Sequence, residues 1–98
     1  MVRHIVAWKL KETEDKAKKA LEIKREIEAL KDKVDVIVDI EVGINFNESD
    51  GASDIVLVST FKTKEDLQTY QDHPEHRAVA VNCVRPNVCD RRVCDYEF

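Results

Sequence analysis

The chain has 98 residues, of which 43% are hydrophobic and 37% charged, with only two Gly and two Pro and a formal net charge of −4. This length holds one domain, residues 1–98, whose small core calls for tight packing or a partner subunit, and the aliphatic content excludes intrinsic disorder. Lys and Arg alternate with Asp and Glu instead of gathering into a basic surface, which argues against nucleic acid as a partner, and no apolar run is long enough to span a membrane.

Residues 2–10 alternate, with Val2, His4, Val6, Trp8 and Leu10 on one face and Arg3, Ile5, Ala7 and Lys9 on the other, the period of a strand. No signal-peptide pattern precedes them, so a cytoplasmic location with free thiols at Cys83, Cys89 and Cys94 is expected. An amphipathic helix is predicted over 13–32, capped by Thr13, with Ala17, Ala20, Leu21, Ile27, Leu30 and Val34 on its apolar side.

From Val36 to Phe46 the even positions are apolar while Asp39, Glu41 and Asn45 fall on the other side, which reads as a long strand with one solvated face. Residues 47–53 form a turn, and residues 54–61 are apolar on both sides, as a central strand requires. Thr63 and Asp66 make a small capping box opening a second helix, which Pro74 breaks at His73. A further helical stretch runs from Pro74 to about Val84, Arg85-Pro86-Asn87 ends it, and Val88–Phe98 closes the chain as a strand.

The order β-α-β-β-α-β predicts a ferredoxin-like α+β protomer with the first and third strands central. Such a sheet leaves one face without helices. Apolar residues of the long second strand then call for a second copy, packed face to face in a two-fold homodimer.

Four residues stand out for chemistry. Tyr70 falls on the buried side of the second helix, His76 follows just after the break, and His4 and Trp8 share the apolar strand face. A phenol and two imidazoles converging on an apolar cavity are the makings of a small-molecule site; the plainer alternative is that each is a hydrogen-bonded core residue. His73 and His76 are three apart, but Pro74 turns His73 elsewhere and no further ligand is nearby, so no metal is expected and His73 is read as a cap. Cys89 and Cys94 differ by an odd number and should face opposite sides of a regular strand, as structural thiols. No glycine-rich phosphate loop, nucleophile elbow or carboxylate pair is present.

The opening Val2-Arg3-His4-Ile5-Val6-Ala7-Trp8-Lys9-Leu10, the strand Asp54-Ile55-Val56-Leu57-Val58-Ser59-Thr60-Phe61, and the closing Val93-Cys94-Asp95-Tyr96-Glu97-Phe98 resemble those of the stress-responsive dimeric α/β-barrel (Dabb) family. The most specific stretch is Leu67-Gln68-Thr69-Tyr70-Gln71-Asp72-His73-Pro74-Glu75-His76, with its Tyr-x-x-His-Pro-x-His pattern. The resemblance covers nearly the whole chain. It implies a ferredoxin-like protomer that pairs into a dimeric α/β barrel, with a part in stress tolerance and, for many members, no assigned reaction. It also implies a catalytic alternative, because some plant members are polyketide cyclases. In that alternative the chain is a cofactor-free cyclase-like lyase in which His76 is the general base, Tyr70 assists and His4 lines the pocket. Cofactor-independent oxygenation, which related dimeric barrels perform, is a third reading. The leading expectation is a homodimer of unassigned activity that binds a small apolar or polyketide-like ligand, without a cofactor, through His4, Trp8, Tyr70 and His76.

Overall fold

The computed structural model describes residues 1–98. Four strands and three α-helices follow one another as β1 (Val2–Leu10), α1 (Lys16–Glu28), β2 (Asp39–Ile44), β3 (Ile55–Phe61), α2 (Lys64–Asp72), α3 (Pro74–Val79) and β4 (Val88–Glu97). The sheet is antiparallel in the order β2-β3-β1-β4, so β1 and β3 are central and the architecture is ferredoxin-like. No helix is long and apolar enough to cross a membrane.

The even residues of β1 face the helices, where Val2, Val6, Trp8 and Leu10 join Ile23, Ile27 and Leu30 in one core. Strand pairing carries this face across the sheet, because Val6 lies opposite Leu57 of β3, and Leu57 opposite Val42 of β2. The other face carries Ile5 and Ala7 of β1 with Val58 and Val56 opposite them, and has no helix over it. This corrects the expected source of the open apolar surface. Ile40 and Val42 of β2 are buried under the helices, and β2 gives the open face Asp39, Glu41 and Gly43 instead.

Several boundaries also move. β2 begins at Asp39, not Val36, because Ile37 turns into the core before pairing starts. Thr13 does not cap α1: its Oγ1 accepts the Asp15 N–H in a preceding turn, and the helix starts at Lys16 with no side-chain cap. On α1 the buried residues are Ala20, Ile23 and Ile27, whereas Ala17 and Leu21 are exposed. The residue missed was Ile23, which is fully buried. By contrast, the Thr63 cap forms as expected, with its Oγ1 accepting the Asp66 N–H at 3.0 Å.

α1 is also tied to β2 by charge. The Lys24 ammonium donates to the Val42 carbonyl at 2.6 Å and to Glu28 at 2.7 Å, while Glu28 accepts the Val42 N–H at 3.0 Å.

Two backbone irregularities lie beyond the reach of local periodicity. Residues Ala80–Val84, expected as plain helix, form a π turn, followed by a short 3₁₀ turn at Arg85–Asn87. In β4 the register against β1 slips between Ala7 and Lys9, so that Asp90 and Arg91 together stand opposite Trp8 in a β-bulge. Asp90 there takes the left-handed conformation, φ 50°, one that Asp tolerates better than most residues.

The bulge overturns the expected placement of two cysteines. Cys89 pairs with Lys9 and Cys94 with Ile5, so both belong to the open face. They are exposed there, not packed, and four residues of β1, roughly 13 Å of strand, separate them. Only Cys83 packs against the core, and burial, with Glu26 and Glu22 adding to it, pushes its thiol pKa up.

Candidate functional site

A cavity of about 550 Å³ lies between the sheet and the helices, and 11 of its 16 lining residues are hydrophobic. All four residues singled out from the sequence, His4, Trp8, Tyr70 and His76, line it. β1 delivers His4 and Trp8 from the same strand face, and α2 delivers Tyr70, whose ring is packed 5.1 Å from that of Phe61.

His76 is placed by the break at Pro74. In an uninterrupted helix the Gln71 carbonyl would receive the Glu75 N–H. Here that N–H is diverted to Nδ1 of His73, which caps α3, and Gln71 O is left for His76 Nδ1 at 3.0 Å. The Tyr-x-x-His-Pro-x-His pattern thus acts as one device: the proline breaks the helix, the first histidine caps the restart, and the second swings back beside the tyrosine. The Tyr70 and His76 rings end 4.5 Å apart. No three His, Cys, Asp or Glu side chains converge as ligands for a metal ion.

The hydrogen bond to Gln71 fixes the chemistry of His76. A carbonyl only accepts, so Nδ1 carries the proton and Nε2 of the neutral ring keeps its lone pair. Burial lowers the His76 pKa, the backbone bond to Gln71 opposes this, and the neighbouring His4, Arg85 and Arg77 lower it further. Burial also raises the pKa of Tyr70, which therefore stays a hydrogen-bond donor. His4, 3% exposed, bonds through Nδ1 to Asp95 on the adjacent strand. The Tyr70 hydroxyl and the Nε2 atoms of His4 and His76 have no hydrogen-bond partner within the chain, no buried polar side-chain atom is left unsatisfied, and all three residues line the cavity.

Sequence reasoning missed Asp95. Nothing in its local sequence marks it, and only the β1–β4 register sets it opposite His4. It also missed Arg85, Asp90 and Arg91 on the cavity wall.

The lowered His76 pKa has a consequence for stability. The unfolded chain takes up this proton near the ordinary value of 6.5, before the folded chain does, so stability falls as pH drops from 6.5 toward the lower folded value. The depressed carboxylates Glu28 and Asp72 act only at lower pH, because their ordinary values are 4.5 and 3.8. Urea midpoints are therefore expected to fall between pH 7 and 5 in the parent protein, and to stay flatter in His76→Gln. An equal slope in the two proteins would refute the assignment.

The sequence profile of the stress responsive A/B barrel domain, Dabb, matches residues 2–98. The chain belongs to this family. A dimeric protein of unknown function and ferredoxin-like fold from Bacteroides fragilis is 39% identical, with a TM-score of 0.87 over 99% of this Dabb chain and 95% of that one. A Dabb family protein from Mesorhizobium loti is 20% identical, with a TM-score of 0.76 over 98% and 94% of the two chains. The hydroxynitrile lyase of Passiflora edulis is 17% identical, with a TM-score of 0.74 over 97% and 90%. At such identities the last two show a shared fold. No curated protein matches the sequence.

Proposed function

We propose that this chain is one Dabb domain, residues 1–98, that works as a cytoplasmic homodimer and binds a small, mostly apolar, carbonyl-bearing molecule between helices and sheet, with stress tolerance as its setting. One observation carries the ligand reading. Tyr70 and His76 line the same apolar cavity, and neither the Tyr70 hydroxyl nor His76 Nε2 has a hydrogen-bond partner in the chain. A cavity of this size with a few convergent polar atoms suits one small organic molecule.

The self-association reading rests on the open sheet face. Ile5, Ala7, Val56 and Val58 form an apolar strip with no helix over it, and the relative from Bacteroides fragilis is described as dimeric. Two such faces can pack against each other about a two-fold axis. Sedimentation equilibrium at micromolar concentration is expected to give twice the chain mass of 11.3 kDa, and Val58→Lys to shift it toward the single-chain value. A parent protein that sediments as one chain would sink the dimer.

A second reading, proton-transfer catalysis, is favoured by the His76 tautomer. Nε2 would take a proton from carbon between two carbonyls, and Tyr70 would hydrogen-bond the enolate oxygen. The enolate carbon then bonds to a distant carbonyl carbon of the same molecule, and His76 returns the proton to the resulting alkoxide. This is a cofactor-free, cyclase-like step on a polyketide-like substrate. The test is a screen of β-keto acids and thioesters against the parent protein, His76→Ala and Tyr70→Phe. Turnover lost in both variants supports catalysis, and binding without turnover leaves the ligand reading alone. A parent protein that neither binds nor converts any of them overturns both.

A further inference from the structure

The rim of the cavity is charged in a way the ligand reading above does not use. Three lining residues are of charged type: Arg85, Asp90 and Arg91. Neither arginine has a carboxylate within ion-pair reach, whereas Asp90 lies 4.0 Å from the Lys9 ammonium. A chain of net charge −4 thus has two exposed arginines without ion-pair partners among the residues that line this apolar cavity.

Both arginines sit where the backbone is irregular. Arg85 follows directly on the π turn Ala80–Val84, whose Ala80 and Val84 line the cavity. Arg91 belongs to the bulge of β4 and stands opposite Trp8; the next residue, Arg92, pairs with Ala7 and so faces the open side of the sheet. π turns and bulges tend to occur where a backbone is shaped for a ligand. Here one of each borders the same cavity.

We propose that the ligand carries an oxyanion, a carboxylate or a phosphate, seated between Arg85 and Arg91, with its apolar body against Val6, Trp8 and Leu57. The planar guanidinium fork fits either group, and its hydrogen bonds to an ionised acceptor are strong. This inference rests on the cavity being a ligand site, and it adds the class of ligand: an amphiphilic acid in place of a neutral molecule.

Trp8 is the only tryptophan in the chain and lines the cavity, so its fluorescence reports occupancy. Three probes with one apolar body separate the outcomes: 4-phenylbutanoate, its methyl ester and 4-phenylbutyl phosphate. The acid or the phosphate is expected to bind about tenfold or more tighter than the ester, as a charge-assisted contact warrants. Arg85→Gln and Arg91→Gln are each expected to erase most of that preference while leaving the ester's affinity within about twofold. Which anion gains more separates carboxylate from phosphate. An ester that binds as tightly as both anions overturns the inference and leaves the cavity reading intact. A preference that survives in both arginine variants overturns the assignment to Arg85 and Arg91. No change in Trp8 fluorescence with any probe counts against the inference and the cavity reading together.

Discussion

His76→Ala is expected to lower kcat/KM for any β-keto substrate that the parent protein converts by about 10²–10⁴-fold, the range over which a positioned general base contributes. The expectation comes from the bond between Nδ1 and Gln71 O, which leaves Nε2 as the free basic atom, and from the burial that keeps the ring neutral. Tyr70→Phe removes one donor to the developing oxyanion and is expected to cost about 10²–10³-fold, chiefly in kcat. The pH profile supplies an independent check. Since His76 must be deprotonated to act, and its pKa is lowered, the rate should stay level through neutral pH and fall only on the acid side of 6.5. Full turnover by His76→Ala would remove this residue from the chemistry, whatever the ligand.

Phe61→Ala should be the most damaging single change to stability among the residues around the site. Phe61 is fully buried at the end of β3, pairs in register with Val2 and packs 5.1 Å from the Tyr70 ring. Truncating a buried Phe costs about 3–5 kcal/mol, through lost transfer energy and the void left behind. That is a large share of the roughly 5–15 kcal/mol that holds a typical domain together. A lower urea midpoint at unchanged slope is the expected signature. A loss under about 1 kcal/mol would mean that the core closes over the gap. Phe61→Leu should recover much of the loss, and because Tyr70 leans on the same ring, affinity for the cavity ligand should recover with it.

Much of this arrangement was legible locally. The two-residue alternation of β1 put His4 and Trp8 on one face, the two-sided apolarity of residues 55–61 marked a central strand, and Thr63 and Pro74 set the limits of α2. The convergence of Tyr70 and His76 followed from the same signals. What escaped depends on pairing between distant segments, which no local period encodes. Asp95 matters only because the register sets it opposite His4, and the bulge at Asp90 exists only relative to β1. The same slip moved Cys89 onto the face that holds Cys94. The start of β2 was misjudged because Val36 and Val38 extend an alternation that the chain does not use for pairing. The role of Gln71 was hidden too, since its carbonyl becomes a partner only once Glu75 N–H is diverted to His73.

The contacts of Lys24 and Glu28 with Val42 bear on how copies of this protein can meet. β2 is the outermost strand on its side, and Val42 is where its backbone N–H and carbonyl point away from β3. An edge left bare there would be a template for strand addition, the route by which sheets grow into fibrils. The ammonium and the carboxylate from one turn of α1 occupy both groups, so an incoming strand finds its donor and acceptor already taken. Removing both side chains should therefore harm solubility more than stability, because it would uncover a place for the sheet to extend edge to edge.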